Sequence, residues 1–409
     1  MLPQLAYSRA MTVAETLSSS QISSLDAVDA GAWNALAGSN LLLRHEFLRA
    51  QETSGCVGPG TAWQPCHMLL HDGSGELVGA LPLFLKHDSH GEFVFDWSWA
   101  DAYERAGLEY YPKLVSAVPF TPANGTRLLV RDDACADMIR QALIAAALEF
   151  AEGAQLSSWH VLFPTDAERQ AFTAAGLLER KACQFHWHND GYTDFDDFLS
   201  RFSSAKRKKA KRERRRIAEA GIHFEHLTGA EVSASDWDAI YDFYSHTFLR
   251  RGRAPYLNRK FFEAMVQHLP DNLVVILARF DNKPIASAIC FRGDDTLFGR
   301  YWGSLADFHS LHFETCYYQG IEYCIREGLS CFEPGTQGEH KISRGFMPTA
   351  TWSFHWLREP GFYDAIQNYL ERETSHVDSY MAHWDEHLPY RQDALGNHDV
   401  RRALPARRS

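Results

Sequence analysis

Cysteine is scarce in this sequence and irregularly spaced. The 409 residues include eight cysteines, several inside apolar runs and none in the paired spacing of a disulfide framework or a zinc motif: Cys56, Cys66, Cys135, Cys183, Cys290, Cys316, Cys324 and Cys331. A small disulfide-stabilised domain is therefore excluded, and a reduced, cytoplasmic protein is expected. Histidines are more numerous, but no cysteine or carboxylate joins them at a recognised ligand interval. The sequence thus predicts no metal site.

Long apolar segments are missing as well. No run approaches the roughly 20 apolar residues that a membrane-spanning helix needs, and the first residues lack the apolar core of a signal peptide. We therefore expect no transmembrane segment. The motif G-x-S-x-G, which presents a nucleophilic serine on a sharp turn, is also absent. Its absence argues against a covalent intermediate on serine.

What is present is the composition of a folded protein, 45% hydrophobic and 13% aromatic. A chain of 409 residues is longer than one hydrophobic core normally organises, so we expect two or three domains. The formal net charge is −11. Because the chain as a whole is acidic, a strongly basic segment is a local feature and needs a separate explanation.

One segment is strongly basic, SSAKRKKAKRERRRIAEAGI at 203–222. Between Lys206 and Arg216 it holds nine Lys or Arg and a single Glu. The serines before the run and Gly221 after it predict a helix at 204–220. Cations in its first turn oppose the helix dipole, and most lack a carboxylate at helical spacing, so we expect an external polyanion to neutralise them. The alternatives are a helix whose charges meet the acidic remainder of the protein, or contact with an anionic lipid or membrane surface.

The hydrophobic periodicity predicts a similar order of elements twice. In the second half the strand IHFEHL precedes the helices SDWDAIYDFYSHTFLRR and NRKFFEAMVQHL, the strands NLVVILARF, PIASAICF and TLFGRYWG, a helix at about 311–327 and the strands SCFEPG and TATWSFHWL. In the first half two helices precede the strands PCHMLLHD, ELVGALPLFLK and GEFVFDWSWA, a helix at about 134–152 and the strands SSWHVLFP and ACQFHWH. Short matches, such as Tyr110-Tyr111 with Tyr317-Tyr318, support an internal duplication.

This order is that of the GNAT acyltransferase fold. Together with YYPKLVSAVPFTPANGTRLL, the basic segment and EPGTQGEHKISRGFMPTATWSFHWL, it resembles the Fem-type aminoacyltransferases and their predicted N-acyltransferase relatives, from about residue 15 to about residue 385. The resemblance implies an α/β (α+β) fold with two tandem GNAT-like acyltransferase lobes, at 15–190 and 191–385, each a mixed, mainly antiparallel sheet flanked by helices. A flexible N-terminus (1–14) and a C-terminal tail (386–409) are expected beyond them, and the Arg-rich end RRALPARRS of this tail is expected to be mobile.

One polar loop of the second half contains the groups that acyl transfer to an amine needs: an oxyanion donor and a route for a proton. The resemblance assigns Lys341 to the reacting carbonyl. We predict Glu339 or His340 as the acceptor of the amine proton. Arg344 is expected to hold an anionic part of a substrate, and Gln337 to contact the substrate. The alternative is an exposed, charged connection between two strands.

Further substrate contacts are predicted in the first half. Lys113 is a candidate ligand for a phosphate or carboxylate, and Phe120 and Thr121 lie in a proline-bounded turn that would form a wall of the substrate site. The alternative is an ordered crossing loop that Phe120 fills.

Two strand ends are predicted to carry aromatic and charged contacts. Trp97 and Asp101 are assigned to the end of the strand GEFVFDWSWA, and Arg300 and Trp302 to that of TLFGRYWG. Aromatic residues on strands also pack into cores, and this is the structural alternative for both pairs.

The donor is predicted from the groups that could bind phosphate. CoA-dependent GNAT proteins hold pyrophosphate on the amides of a glycine-rich turn after the third strand, but GSLADFHSLHFET and WADAYERAGLEYY lack its glycine pair. An aminoacyl-tRNA would bind the basic segment with counterion release. The residues assigned to this polyanion are Lys206, Arg207, Lys208, Lys209, Lys211, Arg212 and Arg215.

We therefore expect an N-acyltransferase of the Fem type without a permanently bound cofactor. It would move an aminoacyl group from aminoacyl-tRNA to an amine of a small molecule or a cell-wall precursor. Two alternatives stay open: an acyl-CoA-dependent N-acyltransferase, and a non-catalytic ligand-recognition protein that keeps the fold.

Overall fold

The computed structural model describes residues 17–336 and 338–391, and the chain forms two compact units. Unit 1 comprises Met1–Ala182, Tyr256–Pro270 and Ala350–Val377, and unit 2 comprises Cys183–Pro255, Asp271–Thr349 and Asp378–Ser409. Three predictions fall outside the described residues, namely the flexible N-terminus 1–14, the tail beyond residue 391 and the substrate contact Gln337.

The described residues contain fifteen strands and twelve helices. The strands are β1 (Ser18–Ile22), β2 (Trp63–Pro65), β3 (His67–His71), β4 (Leu77–Leu81), β5 (Phe84–Lys86), β6 (Lys113–Ser116), β7 (Leu129–Val130), β8 (Ser158–Leu162), β9 (Leu178–His188), β10 (Ile222–Thr228), β11 (Leu273–Phe280), β12 (Lys283–Arg292), β13 (Thr296–Ser304), β14 (Cys331–Glu333) and β15 (Met347–Leu357). The helices are α1 (Ala30–Ala37), α2 (His45–Thr53), α3 (Trp97–Arg105), α4 (Ala136–Gly153), α5 (Arg169–Ala174), α6 (Phe195–Ser200), α7 (Ser204–Glu219), α8 (Ala234–Leu249), α9 (Arg259–His268), α10 (Leu311–Phe313), α11 (Gln319–Glu327) and α12 (Pro360–Asp385). Within these described residues, no helix combines the length and apolarity that crossing a membrane requires.

Unit 1 is built on two sets of strands. The first is antiparallel, in the order β1-β3-β4-β7, and in the second β15, β8, β6, β5 and β2 are successive neighbours. Only β6 and β8 pair in parallel there. Helix α4 buries Ile139, Leu143 and Ala147 at helical spacing, and a Cβ on Gly79 of β4 would meet the Ile139 side chain at 2.8 Å. This contact fixes the helix closely on the first sheet.

Unit 2 is built on six strands in the order β10-β11-β12-β13-β14-β9. The first four form an antiparallel meander, β13 and β14 are parallel, and β14 and β9 are antiparallel. A Cβ on Gly303 of β13 would lie 2.0 Å from the Phe243 carbonyl oxygen of α8, so only glycine allows the helix backbone to pack this closely. Both units thus confirm the predicted α/β class with mixed, mainly antiparallel sheets.

The units differ from the predicted lobe boundaries in two later segments. The chain passes from unit 1 to unit 2 between Ala182 and Cys183, near the boundary predicted at residue 190. The later segments Tyr256–Pro270 and Ala350–Val377 belong to unit 1, although the prediction placed them in the second lobe. Helix α9 in the first of these segments packs on α2, where the Phe47 and Phe261 rings meet edge to face at 5.8 Å. Amphipathic spacing predicts that a helix has a buried face, but not which core covers it.

Two predicted strands of the first half are wrong. The segment 91–100 contains the start of helix α3, because Trp99 and Tyr103 recur at the i, i+4 spacing that buries one helix face. The segment 76–86 is divided at Pro82 into β4 and β5, which belong to different sheets.

The short matches that suggested a duplication fall in different elements. Tyr110 and Tyr111 precede β6, whereas Tyr317 and Tyr318 lie in a π-helical turn, Glu314–Tyr318, between α10 and α11. They therefore do not mark equivalent positions. The predicted helices at 134–152 and 204–220 are confirmed as α4 and α7.

Candidate functional site

Unit 2 contains a point at which two parallel strands separate. β13 and β14 pair through 296–298 and 331–333. Beyond this pairing β13 continues to Ser304, whereas β14 ends at Glu333, and the following Pro334 still lies close to Gly299. In open α/β sheets, ligands commonly bind beyond the carboxyl ends of such strands.

A short 3-10 turn, Glu339–Arg344, follows this separation and lies between two glycines. Gly338 has a φ of 117° and Gly345 a φ of 95°, which residues with a Cβ rarely adopt. Within the turn Lys341 and Arg344 are buried. The alternative of an exposed, charged connection is therefore wrong for these two side chains. We call this segment the 339–344 turn.

Lys341 is only 1% exposed although it carries an ionisable amine. Its Nζ donates a hydrogen bond to the Gly335 carbonyl oxygen at 2.6 Å. Its pKa is lowered to about 7, chiefly by burial, with the Cys316 thiol opposing the shift and the Arg300 guanidinium adding to it. Lys341 therefore gains and loses its proton near neutral pH, unlike an exposed lysine.

His340 is exposed, directly precedes Lys341 in the chain and contacts a tyrosine. Its Nε2 and Tyr317 Oη are 2.8 Å apart. Partial desolvation of the ring, followed by the charges of Arg344 and Lys341, lowers the pKa of His340 below its ordinary value, so the imidazole is mainly neutral at neutral pH and keeps a lone pair. Burial also raises the pKa of Tyr317, which retains its proton. This neutral imidazole has the chemistry of a proton acceptor for an amine.

Glu339, the other predicted proton acceptor, is exposed like His340. Its Oε1 accepts a hydrogen bond from Tyr380 Oη at 2.9 Å. Within the described part of the chain, no hydrogen bond connects Glu339 with the side chains of His340 or Lys341. The geometry therefore favours His340 as the proton acceptor.

Arg344 is held by contacts inside unit 2. Its Nη2 donates to both carboxylate oxygens of Glu213 at 2.9 Å, and its Nη1 donates to the His340 carbonyl oxygen at 2.6 Å. Its Cζ lies 3.4 Å from the centroid of the Phe313 ring. These contacts use the guanidinium to attach the 339–344 turn to α7, rather than presenting it to a substrate anion.

Arg300 and Trp302 lie two residues apart on β13 and are half-buried. Burial lowers the pKa of Arg300, and the Glu333 carboxylate is among the groups that oppose this shift. The Trp302 ring meets His312 edge to face at 5.3 Å. The structure therefore places Arg300 in the electrostatic surroundings of Lys341 and places Trp302 against α10.

Three potential metal ligands meet where β9 pairs with β14. One donor atom each from His186, Cys331 and Glu333 lies within 4.8 Å of the others. The sequence analysis missed this cluster because the pairing of two distant strands creates it. Lys341 acts electrostatically on His186, and Arg300 on Glu333. Because two cations beside the cluster oppose a metal cation, we assign no metal here, and its expected absence stays a prediction.

Lys113 is completely buried in unit 1. Its Nζ donates to Glu92 Oε2 at 2.9 Å, to Ser89 Oγ at 2.8 Å and to Asp96 Oδ2. Burial raises the pKa of Glu92 to about 7, with Lys113 opposing and Asp96 reinforcing the shift. The structure thus uses the Lys113 ammonium in an internal ion-pair network instead of exposing it to a phosphate.

The other predicted contacts of unit 1 divide into buried and exposed pairs. Phe120 and Thr121 are buried, and the Phe120 ring stacks on Tyr256 at 5.0 Å and 15°. This agrees with a crossing loop that Phe120 fills. Trp97, which is 39% exposed, and Asp101 lie on the surface of helix α3.

Helix α7, the basic helix, has one buried and one exposed face. Ala210, Glu213 and Ile217 form the buried face at i, i+3 and i+7. Lys206 and Arg207 in its first turn are half-buried. The exposed face carries Lys208, Lys209, Lys211, Arg212, Arg215 and Arg216.

The basic helix is only partly neutralised within unit 2. Arg214 pairs with Glu314 and Glu322 at 3.0 and 2.6 Å, and Lys211 pairs with Asp196 at 2.7 Å. Arg215 approaches Glu219 of the same helix at 3.5 Å. Among the described residues, no salt bridge forms at the exposed cations Lys208, Lys209 and Arg212. This unmatched part of the face is available to an external polyanion.

A pocket of about 420 Å³ adjoins the basic helix within unit 2. Its walls combine the aromatic residues Phe195 and Phe224 with cations and carboxylates; the charged residues are Lys211, Arg214, Arg215, Asp196 and Glu314. The Arg214 guanidinium lies 4.3 Å from the Phe195 ring centroid. Because Asp196 and Glu314 neutralise two of these cations, the pocket carries little unmatched positive charge.

The sequence of the chain matches a known protein family over most of its length. The sequence model of the FemAB-like family, described as peptidoglycan biosynthesis/recognition, matches residues 24–392. The chain belongs to the FemAB-like family. A search among curated protein sequences finds no match.

Several solved structures are similar to this FemAB-like chain. FemX has a TM-score of 0.52 and 11% identity over 83% of this chain and 98% of its own. L-PGS from Bacillus licheniformis has a TM-score of 0.50 and 11% identity over 83% and 95%. A tandem GNAT protein from the clavulanic acid biosynthesis pathway has a TM-score of 0.47 and 15% identity over 84% and 99%. At such identities the similarity to FemX and L-PGS shows a shared fold and no more.

Sequence reasoning missed the groups that organise this site. Glu213 had a usable signal, since it is the single acidic residue of the basic run and shares helical spacing with Ala210 and Ile217. The Gly335 carbonyl and Tyr317 had none, because their contacts with Lys341 and His340 depend on how the turn packs.

Proposed function

We propose that this FemAB-like protein is an N-acyltransferase that moves an aminoacyl group from aminoacyl-tRNA to an amine at the 339–344 turn of unit 2. The observation that carries the proposal is a buried lysine whose pKa is near neutrality, placed where β13 and β14 separate. Buried ionisable groups with shifted pKa values concentrate at reactive sites, because burial of charge is costly elsewhere.

The proposed reaction joins the acceptor nitrogen to the donor carbonyl carbon and breaks the ester bond to the tRNA ribose. Negative charge develops on the carbonyl oxygen, and the charged Lys341 Nζ donates to it in place of the Gly335 carbonyl oxygen. His340 accepts the proton that the amine loses and returns it to the departing ribose hydroxyl. Arg344 holds the turn and takes no part in these proton transfers.

The exposed face of the basic helix supports a polyanionic donor. Its unmatched cations at Lys208, Lys209 and Arg212 would neutralise phosphates and release counterions. The segment after β13 gives less support to CoA, because the Ser304 hydroxyl already accepts the Ala306 amide hydrogen at 3.0 Å. A pyrophosphate would need free amides at this point.

The acceptor that we propose is an amine of a cell-wall precursor. The FemAB-like family is described by peptidoglycan biosynthesis or recognition, and this description supports such an acceptor over an unrelated small molecule.

The test is a transfer assay with both donor classes. Bulk tRNA charged with radiolabelled amino acids, or radiolabelled acetyl-CoA, is incubated with the full-length protein and amine-bearing cell-wall precursors. We expect label to reach the precursor only from tRNA, and to be lost when the donor is first treated with ribonuclease. Transfer from acetyl-CoA alone would replace the proposal by an acyl-CoA N-acyltransferase. Precursor binding without transfer from either donor would identify a recognition protein.

A further inference from the structure

One carboxylate joins the basic helix to the 339–344 turn. Glu213 is the only acidic residue between Lys206 and Arg216, and it is 6% exposed. Its two oxygens accept hydrogen bonds from Arg344 Nη2 at 2.9 Å, and Oε2 also accepts one from Tyr318 Oη at 2.7 Å. Both oxygens of this buried carboxylate are therefore satisfied by donors outside its own helix.

The contacts of Arg344 continue to the proposed reacting groups. Arg344 Nη1 donates to the His340 carbonyl oxygen at 2.6 Å, across the turn that contains Lys341. Lys341 Nζ in turn donates to the Gly335 carbonyl oxygen at 2.6 Å. Thus a continuous set of short contacts runs from Glu213 to the backbone that carries the proposed donor and proton acceptor.

We infer that Glu213 is a positioning residue, which acts through Arg344 to fix the 339–344 turn on the helix whose other face is cationic. The inference rests on the proposed function for the reaction, but its contacts exist independently of any substrate. A buried ion pair seldom adds stability over apolar packing. Arg344 Nη2 donates to both Glu213 oxygens while Nη1 donates to the His340 carbonyl oxygen, and these directional hydrogen bonds orient the guanidinium in a way that an apolar contact at the same place would not.

The position of the turn has a measurable consequence for Lys341. Burial is the largest cause of its lowered pKa. A turn released from α7 would admit water to the amine and raise this pKa toward the ordinary value. The titratable and charged groups that face Lys341 from the surrounding elements are Arg300, Cys316, His186, His312 and His340.

The experiment measures Lys341 directly in the full-length protein without a substrate. Competitive labelling by acetic anhydride over a pH series, followed by peptide mass spectrometry, reports the pKa of this amine. In Glu213→Gln, which keeps the size of the side chain but removes its charge, we expect that pKa to rise by about one unit or more. The matched control is Glu219→Gln, the same change at an exposed position of the same helix, and it should leave the pKa unchanged.

Activity supplies a second, separable readout. With the donor of the proposed reaction, Glu213→Gln should lower kcat and leave the KM for the acceptor unchanged, as expected for a positioning role. An unchanged pKa of Lys341 in folded Glu213→Gln protein would overturn the inference even if the wild-type protein transfers aminoacyl groups. Absence of transfer by the wild-type protein would refute the proposed function but leave the labelling result standing.

A double variant covers the case in which Glu213→Gln does not fold. Replacing both Glu213 and Arg344 by Met removes the two charges together, and buried ion pairs replaced in this way commonly keep their stability. A raised pKa of Lys341 in this folded variant would support the inference. A pKa of about 7, as in the wild-type protein, would show that the ion pair is not needed to hold the turn.

Discussion

Replacement of Lys341 by Met tests the proposed oxyanion donor without opening a cavity. An Ala at this buried position would leave a void that commonly costs about 2–5 kcal/mol, whereas Met fills a similar volume. The substitution loses one hydrogen bond, from Nζ to the Gly335 carbonyl oxygen at 2.6 Å, worth about 1 kcal/mol. Activity and stability can therefore be separated in this variant.

The lowered pKa of Lys341 means that the buried amine destabilises the folded wild-type protein, and this cost is absent in Lys341→Met. The pKa falls from 10.5 in the unfolded chain to about 7 in the folded protein. At about 1.4 kcal/mol per unit, this shift lowers the free energy of unfolding by about 5 kcal/mol at neutral pH and below. The unfolded chain binds more protons than the folded one between pH 7 and 10.5, so the contribution of this site to stability rises with pH across that window. Met removes this dependence. We therefore expect Lys341→Met to be at least as stable as the wild-type protein at pH 7.

The catalytic effect should be large in comparison. Loss of one oxyanion donor typically lowers kcat by about 100- to 1000-fold. Because the charged amine donates, wild-type transfer should also decline as the pH rises above about 7. The matched control is Lys283→Met, the same change at an exposed position of β12, and it should leave transfer unchanged.

The assays are single-turnover transfer of labelled aminoacyl groups, donor binding, and urea unfolding at neutral and alkaline pH. We expect Lys341→Met to keep its donor affinity and lose turnover. A variant that unfolds more easily at pH 7 but transfers at the wild-type rate would refute the reasoning, and would make Lys341 a structural residue.

Two further predictions concern the basic helix and unit 1. Replacing four of the six exposed cations of α7 by Ala should weaken tRNA binding and reduce its salt dependence; the positions are Lys208, Lys209, Arg212 and Arg215. In the wild-type protein the affinity should fall by orders of magnitude between roughly 50 and 200 mM salt. Unchanged affinity in this variant would show that the helix is merely solvated. In unit 1, the pKa of Glu92 is raised to about 7 from 4.5, so its stabilising contribution is complete below pH 4.5 and is lost as the pH rises through 7. Glu92→Gln resembles the protonated acid, so its free energy of unfolding should increase relative to that of the wild-type protein as the pH rises from 5 to 8. If the difference in free energy of unfolding between variant and wild type is the same at pH 5 and pH 8, the pKa of Glu92 is not raised.

The secondary structure was predictable where local signals agreed. The serines and Gly221 that bound the basic run correctly predicted helix α7, and the apolar spacing at 134–152 correctly predicted α4. At 91–100 two periodicities competed, since alternating aromatic residues suggested a strand while Trp99 and Tyr103 had helical spacing. The helix formed because that spacing buries both rings on one face.

The sequence by itself determined the conformation of the 339–344 turn and the presence of its chemistry. Gly338 and Gly345 allow the two positive φ values at its ends, and Lys341 and His340 between them are visible in the sequence. Such features depend on residues within a few positions of each other, because backbone sterics and caps act locally.

Only the tertiary structure decided what these residues can do. Burial gives Lys341 its near-neutral pKa, the distant Glu213 engages Arg344, and Glu92 and Asp96 enclose Lys113. Charge, spacing and composition specify none of these pairings, since each depends on which surfaces meet when strands and helices pack. Lysine side chains are therefore exposed on α7, ion-paired inside unit 1 and, at Lys341 in unit 2, buried with a pKa near neutrality. These differences arise because desolvation and neighbouring charge depend on long-range packing rather than on local sequence.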